Sequence, residues 1–199
     1  MDGSAALRRT VIVVASLNLA YFGIEFSVAL MIGSVSLFAD SIDFLEDAAV
    51  NGLILMALGW SGRHRATVGT ALAGILLLPA IATMWTAWQK FLTPIPPAPL
   101  PLSLTGLGAF AVNLFCAMRL ARFRSQGGSL TRAAFLSARN DVLANIAIVA
   151  AGFVTAATAS IWPDLAVGLG IFALNLDAAR EVYQAARNER RAALDLTPG

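Results

Sequence analysis

Phe38–Asn51 reads FADSIDFLEDAAVN, and the fold turns on how its carboxylates are taken. Asp40, Asp43, Glu46 and Asp47 lie close together, between stretches almost free of charge: Thr10–Gly33 carries only Glu25, and Gly52–Gly62 carries none. Such flanks make this a membrane helix. Each charge in one costs about 2.5–3.5 kcal/mol by insertion scales. Four in two turns persist only where something in the membrane needs them. At about 100° per residue, Asp40, Asp43 and Asp47 fall within roughly 60° of one another, with Glu46 at the flank of that stripe. Asp43 and Asp47 are four apart, so their side chains meet one above the other. Like charges that close repel unless protons or a cation sit between them.

Composition agrees with a membrane setting. The chain has 199 residues, 58% hydrophobic and 13% charged, with a mean hydropathy of +0.73. A soluble domain carries about 25% charged residues. At about 20 residues per span with short loops, the chain has room for six spans. The expected fold is all-α: a polytopic membrane protein with a six-helix transmembrane bundle and a short cytoplasmic helical tail. The lone cysteine, Cys116, rules out an internal disulfide and a thiolate metal cluster and reads as a small apolar packing residue. The lone histidine, His64, sits between two arginines and reads as a solvated loop residue.

The apolar runs place the spans at about 11–32, 37–60, 68–88, 104–120, 133–156 and 165–176, so that 1–176 form the membrane domain and 177–199 the tail. Arg8 and Arg9 before the first run resemble the start of a signal peptide. The run is too long for one and leads into further spans, so it is expected to stay uncleaved. Gly33–Ser34 makes a very short turn. PIPPAPLP (Pro94–Pro101) is expected to be extended. RLARFRSQGGS (Arg119–Ser129) reads as a flexible basic connector. The tail is too short for an independent domain.

The arginines orient the chain. The N-terminus, the 61–65 loop, the 119–132 region and the tail hold all of the Lys and Arg except Lys90 and Arg139. By the positive-inside rule both termini are cytoplasmic, in the cell (inner) membrane. Span 2 then runs inward and span 5 outward. Asp47 and Asp141 both reach about 15 Å into the bilayer, near its middle, where transporter substrate sites lie. Scattered arginines in short loops are explained by topology and give no support to nucleic-acid binding.

Span 5 reads SARNDVLANIAIV (Ser137–Val149). Ser137, Asp141 and Asn145 recur every four residues and share one face. Arg139 lies about 200° round from Asp141 and either pairs with Glu46 or snorkels to the cytoplasmic face. Asn18 and Glu25, seven apart, share a face of span 1 and are expected to lock it to its neighbours. Asp40, near the outer end of span 2, reads as a helix-end or access-path carboxylate.

Together these residues resemble the cation diffusion facilitator family of metal/proton antiporters. The resemblance rests on Asn18 and Glu25, GSVSLFADSIDFLED (Gly33–Asp47), Asn113, DVLAN (Asp141–Asn145) and WPD (Trp162–Asp164). It runs across essentially the whole membrane part. In that family the ion is held by His/Asp-x-x-x-Asp pairs from spans 2 and 5. The resemblance thus implies Asp43 and Asp47 with Ser137 and Asp141 as metal ligands. Asn145 joins the candidate set, with an interhelical hydrogen bond as its alternative role. It also implies a homodimer, with spans 3 and 6 static. Gly69/Ala73 and Ala166/Gly170 provide spacing for close helix contacts. Position 137 departs from the family, being serine where zinc-type members have histidine. No cytoplasmic metal-binding domain follows span 6 in the sequence, which reads as a short form.

The implied function is export of a divalent cation, Zn²⁺ or Cd²⁺, from the cytoplasm by alternating access in exchange for protons. No permanently bound cofactor is expected; the cation and protons are cargo. Carboxylates this close cannot all be charged in an empty site, so protons are expected there, bound to a coupled group and displaced by the metal. An oxygen-only donor set leans instead toward Mn²⁺, with Fe²⁺ and Co²⁺ also possible. A membrane metal sensor that moves no ions is a further alternative. An intramembrane aspartyl protease would need acids on separate helices sharing a proton. Here two acids share one helix and no Gly-x-Gly-Asp motif is present.

Overall fold

The computed structural model describes residues 3–57, 81–123 and 128–175. Among these residues every regular element is a helix: α1 (Gly3–Ile32), α2 (Val35–Ala57), α3 (81–92), α4 (Pro99–Ala121), α5 (Gly128–Thr158) and α6 (162–175). The all-α bundle expected from the apolar runs is therefore observed. Residues 68–80 of span 3, the 61–65 loop with His64, the Gly69/Ala73 pair and the tail lie outside the described residues.

Two boundaries differ from expectation. Pro94–Pro101 is not extended throughout: α4 starts at Pro99, and Leu102 N donates to Ala98 O at 3.1 Å. The reason is that the first turn of a helix has unpaired N–H groups anyway. Proline loses nothing there, and its fixed φ suits a helix start. The 119–129 connector is also shorter than expected, because α4 runs to Ala121 and α5 begins at Gly128.

Local chemistry fixes the α1–α2 turn. Gly33 has φ +62, a left-handed conformation that a Cβ would penalise. Ser34 N then donates to Ala29 O at 3.0 Å, the long closing bond of a Schellman cap. Ser34 at once caps the next helix, its Oγ accepting from Leu37 N at 3.1 Å. The α3–α4 and α5–α6 connections arrive at the same end. Phe91, Pro94 and Pro96 line one open pocket with Ser160, Ile161 and Trp162. Lys90 Nζ donates to Gly33 O at 2.5 Å.

Among the described residues, α1 packs along α2, α4 along α5, and α1–α4 and α2–α5 contacts close a square. Their core is split. One apolar cluster joins Val11, Val14, Cys116, Leu120 and Ala138. Another joins Ala29, Leu37, Phe38, Ile42, Leu102 and Ile148 nearer the turns. Between them lies a polar layer of Asn18, Glu25, Asp40, Asp43, Asp47, Asn113 and Asn145, all buried. Outward faces are apolar instead: Leu30, Leu100, Leu143 and Phe153 are all more than half exposed. Acids inside and leucines outside invert the usual soluble pattern, as a lipid surround requires. Ala5–Ile32, Pro99–Ala121 and Ala134–Thr158 are long and apolar enough to span a bilayer. α2 has the length at 23 residues, and it carries the acidic stripe.

Candidate metal site

The stripe lies on the inner face of α2. Asp40 is fully buried, and Asp43 and Asp47 are 8% and 6% exposed. Each meets neutral donors from neighbouring helices. Asp47 Oδ1 accepts from Ser137 Oγ of α5 at 3.0 Å, and its Oδ2 from Asn18 Nδ2 of α1 at 3.4 Å. Asp40 Oδ2 accepts from Asn145 Nδ2 of α5 at 2.5 Å. Asp43 Oδ1 accepts from Asn175 Nδ2 of α6. Among the described residues no lysine or arginine forms an ion pair with any of these acids. The carboxylates are thus held in a desolvated layer by amides and hydroxyls, which orient them without neutralising them.

The span-5 residues divide. Ser137 and Asn145 reach the stripe directly. Asp141 is half-buried and receives no hydrogen bond from any described residue, yet stands near enough to Asp43 and Asp47 for its charge to act on both. Asn145 is tied on both sides, since its Oδ1 also accepts from Asn113 Nδ2 at 3.0 Å. No three acidic, histidine or cysteine side chains among the described residues converge on one point. The acids form a strip along α2 facing α5 rather than a closed cage.

Around the strip, Asn18 Oδ1 accepts from Cys116 Sγ at 3.7 Å, so Asn18 links α1 to α4 as well as to Asp47. Glu25 is fully buried, and neither of its oxygens, nor Asp40 Oδ1, receives a bond from an amide, hydroxyl or backbone donor. Both carboxyl groups belong to the same buried polar layer. Asp40 is no helix-end residue: it is fully buried and bonded to Asn145 of α5. Arg139 is exposed and donates to Asn140 Oδ1 at 3.4 Å, making no ion pair with Glu46.

A different acid closes the turn end. Asp164 of α6, fully buried, accepts from Ser34 Oγ at 2.6 Å, Ser36 Oγ at 2.6 Å, Val35 N at 2.9 Å and Ser36 N at 3.2 Å. A carboxylate at a helix N-terminus satisfies N–H groups that have no partner within the helix and favours the helix dipole. Gly168, one turn on, lies where a Cβ would come within 2.7 Å of the Val35 backbone. The close α2–α6 crossing is made here, while Ala166 and Gly170 lie on exposed positions. Sequence reading missed this capping role and the part of Asn175. The only signal for Asn175 was an amide ending an otherwise apolar run.

Residues 11–185 match the family described as the cation efflux transmembrane domain. The chain is 30% identical over 138 residues to the zinc transporter ZitB of Yersinia pseudotuberculosis, covering 63% of this chain and 44% of that protein. It is 29% identical over 137 residues to the zinc transporter ZitB of Pectobacterium atrosepticum, covering 63% and 43%. The chain therefore matches less than half the length of these relatives. A family match over residues 11–185, an all-helical bundle and an acidic strip buried between its helices identify the chain as a multi-pass membrane protein of the cation efflux, or cation diffusion facilitator, family.

Proposed function

We propose that this protein moves a divalent metal cation across the membrane, out of the cytoplasm and in exchange for protons. Asp43, Asp47 and Asp141 are its binding carboxylates. Ser137 lies beside the ion, and Asn145 holds the strip through Asp40. The observation that carries this reading is the strip itself: buried carboxylates on one face of α2, met only by neutral donors among the described residues. Such a strip is costly when empty and charged, and is relieved by protons or by a dication.

Exchange follows from that relief. A dication entering between Asp43, Asp47 and Asp141 displaces their protons, and protons returning from the other side release it. The strip is open toward α5, so binding draws Asp141 toward α2, and alternating access follows as these helices tilt against their neighbours. The resemblance to zinc transporters supports Zn²⁺ as cargo. A second reading has its own observation: Ser137, not histidine, touches Asp47, leaving oxygen donors that suit Mn²⁺. Inner-membrane placement with both termini cytoplasmic, and a homodimer, complete the proposal.

The test is flux into proteoliposomes under an imposed pH gradient, with Zn²⁺, Cd²⁺, Mn²⁺, Co²⁺ and Fe²⁺, comparing wild type with Asp47→Ala. Gradient-driven flux lost in the variant is the expected result. Binding that depends on Asp47 without flux of any ion would replace transport by sensing. Flux untouched in Asp47→Ala would move the site elsewhere.

A further inference from the structure

Three amides touch the α2 acids, and they are not equivalent. Asn18 bonds Asp47, and its carbonyl oxygen is taken by Cys116. Asn145 bonds Asp40, and its carbonyl oxygen is taken by Asn113. Asn175 bonds Asp43, and its Oδ1 accepts from no described residue. It stands one residue before the end of the span-6 run LAVGLGIFALNL (165–176), the only amide in that run. An amide in such a run is costly in lipid unless it has a partner, and the partner here is an acid of the strip.

The orientation follows from charge. A carboxylate repels a carbonyl oxygen, so Nδ2 faces Asp43 and Oδ1 lies beside it, uncommitted. An uncommitted amide oxygen next to a buried carboxylate is what a hard divalent cation takes as a ligand. Asp43 receives no other hydrogen bond from the described residues, so an ion arriving there meets Asn175 as its nearest neutral group.

We propose that Asn175 is a ligand of the transported cation, adding an α6 oxygen to Asp43 and biasing the site toward Mn²⁺ over Zn²⁺. The inference rests on the transport site proposed above and adds α6 to the helices that build it. Zn²⁺ gains less from a neutral oxygen, because it prefers nitrogen and sulfur donors.

The experiment is calorimetric titration of the purified full chain in detergent with MnCl₂ and with ZnCl₂, alongside proteoliposome flux. Asn175→Leu removes both amide atoms at similar volume. Asn175→Asp keeps an oxygen and removes the donor, so it separates a ligand from a hydrogen-bonding prop. Asn175→Leu is expected to weaken Mn²⁺ binding about tenfold or more, and Zn²⁺ binding less. Asn175→Asp is expected to retain Mn²⁺ binding. If Asn175→Leu leaves the Mn²⁺:Zn²⁺ affinity ratio unchanged, or Asn175→Asp loses Mn²⁺ as fully as Leu, Asn175 is not a ligand. Should Asn175→Leu fail to fold, Asn175→Ala replaces it with the same criteria. The two proposals fail separately: Asn175-dependent binding without flux removes transport alone, and flux with an unchanged ratio removes the ligand role alone.

Discussion

Asp164 and Asp47 are both carboxylates buried in an apolar bundle, and they are treated in opposite ways. Asp164 takes two hydroxyls and two backbone N–H groups at 2.6–3.2 Å. Asp47 takes one hydroxyl at 3.0 Å and one amide at 3.4 Å, and beside it on the strip Asp43 takes one amide. A saturated acid has nothing left to offer an ion and serves as a staple between α2 and α6. An acid with spare lone pairs is expensive to keep, and selection for stability alone would have removed it. The comparison sets a structural acid of α6 against the unsaturated acids of α2.

That contrast gives four expectations. The largest concerns the strip. Asp47→Asn should lower metal flux by more than the roughly 10–100-fold that supporting residues of a metal site cost. Its unfolding midpoint in detergent should stay equal or rise, because one uncompensated acid is gone. A midpoint that falls instead would put Asp47 with Asp164. Next, Asp164→Ala orphans four donors, and by about 1 kcal/mol or more for each should destabilise the bundle by about 4 kcal/mol, read as a lowered midpoint in the same assay. A midpoint unchanged in Asp164→Ala would erase the distinction from the other side. Gly168→Ala places a methyl within 2.7 Å of the Val35 backbone and should cost about 1–3 kcal/mol through overpacking. Pairing it with Asp164→Ala should give a less than additive loss, since both act on one crossing. The smallest effect is expected from Ser137→Ala, which removes one donor to Asp47 and should change stability by about 1 kcal/mol or less while weakening metal binding measurably. A larger stability loss than in Gly168→Ala would make Ser137 a packing residue.

How much was legible before the structure follows the range of each interaction. The stripe was readable because Asp40, Asp43 and Asp47 belong to one helix, where spacing fixes direction. The shared face of Ser137, Asp141 and Asn145 was readable for the same reason. What faces those residues was not. Asn175 meets Asp43 across 132 positions, and Asp164 meets Ser34 across 130. Such pairings depend on how helices are placed, which no periodicity records. Of the two roles read for Asp40, helix end and access path, the first fails because depth along a helix says nothing of Asn145 beside it. The proline segment was misread at one edge, where composition outweighed the tolerance of a first helical turn.

The Gly33–Ser34 turn has a mechanical side. It holds no slack: one residue closes α1, the next opens α2, and Asp164 and Lys90 grip the same point. α2 cannot slide past α1 there, so its freedom is angular, with the grip as fulcrum. Asp47 rides about 18 Å down the arm from Val35 at 1.5 Å per residue. On such an arm a tilt of about 10° would carry Asp47 about 3 Å. In the proposed exchange, two residues and one carboxylate would set the gearing by which a small rotation at the rim becomes a larger displacement in the middle of the bundle.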